Sequence, residues 1–397
     1  MRAWRSGQAV EVPVYGKIKG PFDGWLLMIT VTLLLIGAVM VTSASMEVAE
    51  MRFHDPFYQI ERHLAFMVIA IGAACFVWRI PMAFWRRQHW WLLIIAVVLL
   101  ILVLVPGIGR VVNGSSRWLR LGPINIQASE VAKLFLMMYL ASYMERRLDE
   151  VRTQWSGFFK AMLILAIPIV LMLMEPDLGA VVVTMGIALG MVFMGGMRMW
   201  QFWLVIFSCL AAVGAGAWME DYRRQRLLTY LDPWADPYGS GYQLTQAQIA
   251  FGRGDWFGLG LGNSVQKLFY LPEAHTDFVY AVLAEELGLI GALTVILLYA
   301  WLVYRAFRIG LRAERLQQHF SAFMAYGTAL LIACQAFINI GVNLGVLPTK
   351  GLTLPLISYG GSSLVVCLCL IAILLRIDYE ARGEALRRAM LGARSDE

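Results

Sequence analysis

Ten apolar runs, most of them near the ~20 residues that a helix needs to cross a hydrocarbon core, constrain this chain more than any other feature. They fall at roughly 25–44, 64–78, 91–106, 130–144, 160–174, 178–196, 201–219, 278–303, 320–345 and 354–375. A content of 59% hydrophobic and only 15% charged residues, with a mean hydropathy of +0.65, lies outside the range of soluble domains. The expected architecture is an all-α integral membrane protein of ten transmembrane helices. The first run is longer than the apolar region of a signal peptide and follows Arg2, Arg5, Lys17 and Lys19. It reads as a retained span behind a tail, 1–23.

Charge gives the orientation. Loops on the N-terminal side hold 21 Lys and Arg residues against 11 on the other, with Lys133 inside a span. By the positive-inside rule both termini are cytoplasmic, so 24–376 forms the membrane domain and 377–397 a cytoplasmic tail. The formal net charge of +6 is thus mostly a topology signal, and no nucleic-acid partner is expected. Cys75, Cys209, Cys334, Cys367 and Cys369 lie in predicted spans without the spacing of a zinc site or a disulfide framework. No two of the five histidines have metal-ligand spacing.

One connection is long. Residues 220–276, between the seventh and eighth spans, form an outer loop with Asp-Pro turns, an amphipathic stretch near 242–251 and glycines at 252, 254, 258, 260 and 262. The glycines follow no strand and precede no Walker lysine, so they read as a flexible loop rather than a phosphate cradle. Polar groups in or beside spans weigh more, since an unpaired charge at the bilayer centre costs ~2.5–3.5 kcal/mol even on lenient scales. Glu130 and Lys133, three apart, share a helix face and can neutralise each other, as an internal bridge or facing a substrate. Glu175 and Asp177 in "MEPDLG" exceed what a turn needs. Gln335, Asn339 and Asn343 recur every four residues, a spacing that favours helix packing. In "LPEAHTDFVYAVLAEELG", Thr276 is placed to cap a helix starting at Asp277, with Glu285 and Glu286 ~12 Å further along and in need of partners.

The "NGSSRWLRLG" loop, the "EPD" turn, the long loop, the mouth of the Asp277 helix and the "TKG" to "SYGGSS" segment all fall on the outer side by the span count. Carboxylates beside Arg and Lys there suit an anionic amphiphile with a reacting hydroxyl: cations hold phosphates and a carboxylate takes the proton. Nucleoside triphosphates are absent outside, so a synthetic reaction there needs an activated substrate such as a lipid-linked diphosphate sugar.

"NGSSRWLRLGPINIQASEVAK", "EPDLG", the 223–288 segment and "GVLPTKGLTLPLISYGGSS" together resemble the SEDS family of bacterial cell-wall polymerases. "NSVQKLFYLPEAHTDF" and "TKGLTLPLISYGGSS" have the form of its division branch rather than its elongation branch. The sequence departs from the family at Ala128, usually Pro, and at Asp255, more often Gly. The resemblance implies a peptidoglycan glycosyltransferase that polymerises lipid II at the periplasmic face of the inner membrane, at the division septum. Asp277 matches the family's essential aspartate, proposed to deprotonate the 4-hydroxyl of the acceptor sugar, with inversion at C1 of the donor. Glu130, Lys133 and Asp177 match positions lining the same cavity, and Glu175 and Arg117 join them as candidate substrate-binding residues. Outer Arg or Lys residues, or a divalent cation (Mg2+ or Mn2+), would stabilise the leaving diphosphate. Implied partners are a class B penicillin-binding protein transpeptidase and other division proteins. The rival class is a lipid II flippase, which should place its ionisable groups near the midplane, often between repeated halves; no internal repeat is seen.

Overall fold

The computed structural model describes residues 22–112, 115–121, 124–208, 230, 232–239, 241–349 and 351–395. Helices dominate: α1 (Gly24–Phe53), α2 (Tyr58–Arg79), α3 (Met82–Arg87), α4 (His89–Leu104), α5 (Ala128–Thr153), α6 (Trp155–Met174), α7 (Leu178–Met194), α8 (Met199–Ser208), α9 (Tyr242–Gly254), α10 (Val279–Arg315), α11 (His319–Asn343) and α12 (Gly361–Ser395). Six of the described helices, α1, α2, α6, α10, α11 and α12, are long and apolar enough to cross a membrane, and α4, α7 and α8 are shorter apolar helices. Leu35, Val68, Leu163 and Leu297 lie exposed on the outside of the bundle. Such a surface suits lipid rather than water. The chain is a multi-pass membrane protein.

Packing is densest between α10 and α11, α2 and α12, and α4 and α5. The predicted seventh span is a helix up to Ser208, and its remainder, 209–219, lies outside the described residues. The tenth begins at Gly361 rather than 354, because Pro355 and the Gly360–Gly361 pair oppose a helix there, and it continues through the predicted tail boundary to Ser395.

The all-α expectation needs one correction. Between α4 and α5 the chain forms a small antiparallel meander of β1 (Gly109–Val112), β2 (Ser115–Leu121) and β3 (Ile124–Gln127). Trp118 pairs with Gln127 and Arg120 with Asn125. The cause lies in period-two patterning: Arg117 and Leu119 share a face of β2, and Leu119 is buried. That alternation carries Arg117 toward the protein. The end of the bundle bearing this meander, the sheet face, also receives the α6–α7 turn, α9, the turn before α10 and the segment 351–360.

Candidate functional site

The turn 271–278 is built by main-chain bonds to its neighbours. Leu271 N donates to Gln266 O (2.8 Å), and Asp277 N donates to Glu273 O (3.2 Å). Thr276 does not cap α10 as expected; its hydroxyl bonds Glu273 O and Glu273 Oε2 (3.1 and 2.9 Å). The helix starts at Val279, with no side-chain cap. Two amides of α11 fix Asp277 instead: Asn339 Nδ2 and Asn343 Nδ2 both donate to its main-chain oxygen (2.9 and 3.0 Å). Asn339 Nδ2 also reaches Leu352 O (2.6 Å), while Asn343 Oδ1 accepts from Ala281 N (3.1 Å). The four-residue stripe therefore packs helices, as its spacing suggests, and orients the aspartate as well. Gln335, one turn deeper, is buried, with no partner among the described residues for either side-chain atom.

The Asp277 carboxylate is half-buried and receives no hydrogen bond among the described residues. A methyl group on Gly351 would stand 3.2 Å from Asp277 Oδ2, so the segment after α11 borders it closely. Burial, reinforced by the Glu273 carboxylate and opposed by Arg117, pushes the Asp277 carboxyl up to about 7. Its neighbour His275 is pulled below the usual histidine range, mainly by burial. Its ring faces Tyr359 (5.6 Å between centroids), and His275 O accepts from Tyr359 N (3.0 Å).

Arg117 links this turn to the next. Its guanidinium donates to the main-chain oxygens of Glu175 and Pro176 and lies 3.8 Å from Asp177 Oδ1. Asp177 caps α7, accepting from Ala180 N (3.2 Å), and also accepts from Ser129 Oγ (2.8 Å) and Gln127 Nε2 (3.2 Å). Glu175 is different. Its side chain is enclosed, and neither oxygen has a partner among the described residues. Burial and the adjacent Asp177 raise its carboxyl to about 8, against a weaker pull from Arg117.

Glu130 and Lys133 form the expected bridge, Nζ to Oε1 at 2.7 Å, with side chains 5% and 0% exposed. The pair starts one residue beyond Ser129, which ties it to Asp177.

Glu285 finds its partners in the long loop, and Glu286 finds them there and on α1 for one of its two oxygens. Glu285 accepts from Ser264 Oγ (2.5 Å), Val265 N and Gln266 N (3.2 Å each) and Arg253 Nε (3.0 Å). Glu286 accepts from Ser43 Oγ of α1 (2.6 Å) and Lys267 Nζ (3.0 Å). The glycine-rich stretch is consequently packed against α10 rather than a free loop, and the amphipathic stretch is α9. Arg223, Arg224, Arg226 and Lys350 lie outside the described residues.

The structure thus gathers Asp277, Arg117, Glu175 and Asp177 on the sheet face, with Glu130 and Lys133 just beneath. Sequence reasoning missed the anchoring of the Asp277 backbone and the role of Gln127 and Ser129. The signals were the amide spacing on α11 and the amide and hydroxyl residues three and one before Glu130. No group of three or more His, Cys, Asp or Glu among the described residues gathers in a way that could hold a metal ion.

Residues 24–383 match the FtsW/RodA/SpoVE family model, described as "Cell cycle protein". A protein of Halomonas elongata named probable peptidoglycan glycosyltransferase FtsW is 54% identical, over 94% of this chain and 95% of its own. One from Pseudomonas fluorescens with the same name is 52% identical, over 92% and 89%. Among solved structures, a chain from a peptidoglycan synthase complex that coordinates polymerization and crosslinking aligns with a TM-score of 0.76 at 29% identity, covering 91% of this chain and 98% of that one. The rod shape determining protein RodA of Thermus thermophilus gives 0.66 at 25%, covering 90% and 96%.

Proposed function

The chain belongs to the FtsW/RodA/SpoVE family of cell cycle proteins, and from that premise we propose that it is the peptidoglycan glycosyltransferase of cell division, polymerising lipid II into glycan strands. In this reading ten spans cross the bacterial inner membrane at the septum, both termini are cytoplasmic, and the sheet face is periplasmic. The observation that carries the proposal is Asp277: a carboxylate at a membrane mouth, free of hydrogen-bond donors among the described residues, with its backbone pinned by Asn339 and Asn343 and its carboxyl raised to about 7.

A general base works best when its pKa lies near the operating pH. Asp277 takes the proton from the acceptor 4-hydroxyl as that oxygen attacks C1 of the donor sugar. The bond from C1 to the diphosphate oxygen breaks with inversion, and undecaprenyl diphosphate leaves. Arg117 is the described cation that faces Asp277, Glu175 and Asp177 together, and it is suited to anionic groups of the substrate. Asp177, Glu130 and Lys133 hold the floor beneath the site, and Glu175 supplies a neutral carboxyl below about pH 8. A divalent cation, if used, would draw ligands from the substrate's phosphate oxygens, in keeping with how Mg2+ is commonly bound. A class B penicillin-binding protein is the proposed partner, in line with the coordinated polymerization and crosslinking described for the structural relative. The flippase alternative is less well supported, because the carboxylates cluster at the mouth rather than at the midplane.

The test is direct. Purified protein with its transpeptidase partner, given lipid II and no other polymerase, is expected to yield glycan strands with a rate that falls as pH drops below about 7. Absence of strands with correctly assembled protein would refute the enzyme reading.

A further inference from the structure

Residues 255–261 leave α9 and run beside α10 where that helix is broken. Gly288 has φ 69° and ψ −169°, which interrupts the helical ladder. Among the bonds that such a break interrupts are those from Leu289 N to Glu285 O and from Ile290 N to Glu286 O. The loop takes over all four groups. Leu259 N and Gly260 N donate to Glu285 O and Glu286 O (3.0 Å each), and Leu289 N and Ile290 N donate to Asp255 O and Trp256 O (2.8 and 3.3 Å). This approach requires glycine on both sides. A Cβ on Gly258 would stand 2.2 Å from Glu286 O, and one on Gly288 would stand 2.4 Å from Gly258 N.

The depth of this junction follows from the helices themselves. At the far end of α10, Trp301 stacks on Trp25 of α1 (5.2 Å between centroids) and Arg305 pairs with Asp23, a belt of the kind that marks a membrane boundary. A core ~30 Å thick spans ~20 helical residues. Counted from Trp301, residues 285–290 lie ~6–14 Å inside the opposite boundary. The α1 helix gives a second ruler: Ser43, bonded to Glu286, lies ~27 Å along from Trp25.

Non-helical backbone is tolerated at such a depth only when its polar groups are satisfied by protein, and the bonds above do that for four donors and their four acceptors at the junction. The side chains turned away from α10 are apolar: Phe257 is 82% exposed and Trp256 and Leu261 are also exposed, beside exposed Leu289 and Ile290. Asp255, the exposed carboxylate of the segment, accepts from Leu289 N through its main-chain oxygen and by the same count lies ~12 Å inside the boundary, so its charge is a cost that the satisfied backbone and the apolar side chains must offset.

We infer that residues 255–261 form a re-entrant loop seated in the sheet-side leaflet, with Trp256, Phe257 and Leu261 in contact with lipid acyl chains. The loop leads through the Glu285 clamp and Leu271 to Asp277, so a lipid-facing element is covalently continuous with the turn that carries the base.

Two measurements test this. A bimane label on Phe257→Cys, in a chain whose five native cysteines are replaced, should lose emission in vesicles of phosphatidylcholine brominated near the carboxyl ends of its chains. Aqueous iodide should quench it little. The same label on Tyr238→Cys, exposed in the turn before α9, should show the reverse. Iodide quenching at 257 as strong as at 238 refutes the inference. Because replacing the buried Cys367 and Cys369 puts folding at risk, the second measurement keeps them. Benzoylphenylalanine at 257 in the otherwise native chain, irradiated in vesicles with the partner present, should give lipid adducts. Adducts to the partner protein alone would show that another chain covers this surface, and the lipid assignment would fall.

Discussion

Glu285 and Asp277 lie eight residues apart and are provided for in opposite ways. Glu285, fully buried, is met by a hydroxyl, two main-chain amides and a guanidinium. Asp277 has donors for its main-chain oxygen and none, among the described residues, for its carboxylate. Glu175 repeats the second pattern, with two oxygens lacking partners. A buried polar network stabilises when every member is satisfied and costs when one is not. The difference separates two uses of an acid. A saturated carboxylate holds the fold together, and a starved one retains capacity for a proton or a ligand.

The most severe trial of this contrast is Asp277→Asn. Asparagine is nearly isosteric and leaves the main-chain oxygen in place for both amides of α11, so thermal unfolding in detergent should be unchanged. Polymerisation should fall by ~10²–10⁴-fold, the usual contribution of a positioned base. A variant that melts early, or one that polymerises at the parental rate, breaks the contrast from either side.

Glu285→Ala should do the reverse, because it leaves buried donors and a cation unpaired. Each buried donor left unpaired costs about 1–3 kcal/mol, whereas Arg253, 44% exposed, can turn to water, so the loss is read as a large drop in melting temperature, with Glu285→Gln falling between. Unaltered melting would mean that the clamp on the long loop is ornamental.

Glu175 offers a smaller and sign-dependent effect. Its folded carboxyl, raised to about 8 from an ordinary 4.5, binds a proton that the unfolded chain has already released. Stability is therefore fully present below about pH 4.5, declines between the two values, and is lost as pH rises through about 8. Glu175→Gln should flatten this dependence in melting curves recorded from pH 5 to 9 (about the range that brackets the shift). Parallel curves for the two proteins would mean that Glu175 is ionised in the fold.

The least of the expected effects is a gain. Asp255 has φ 45° and ψ −144°, a conformation suited to glycine. Backbone strain of this kind costs of order 1–3 kcal/mol, and Asp255→Gly gives part of that back as extra unfolded-state entropy. A net stabilisation of about 1 kcal/mol is expected in a denaturation series.

Much of this molecule is legible before its coordinates. Apolar run length finds the six long apolar helices among the described residues, and the spacing of Glu130 and Lys133 predicts their bridge. What escapes is whatever depends on a partner distant in sequence. The alternation in 115–121 is short enough to vanish inside a loop flanked by long helices, so the meander and the inward turn of Arg117 go unseen. Thr276 satisfies every local rule for a cap, yet Asn339 and Asn343 take over the anchoring from 62 and 66 residues away. The glycines of the long loop look like slack because their purpose, close approach to a broken helix, lies in α10.

The two amides grip the main chain of residue 277 and leave its side chain alone, so the address of this position and its chemistry are written in different atoms. A cell producing both the parental chain and the Asp277→Asn chain would then load silent copies into its division machinery as readily as working ones. Growth should suffer in proportion to the share of silent copies, a poisoning by stoichiometry that a misfolded variant, cleared before it reaches the membrane, could not cause.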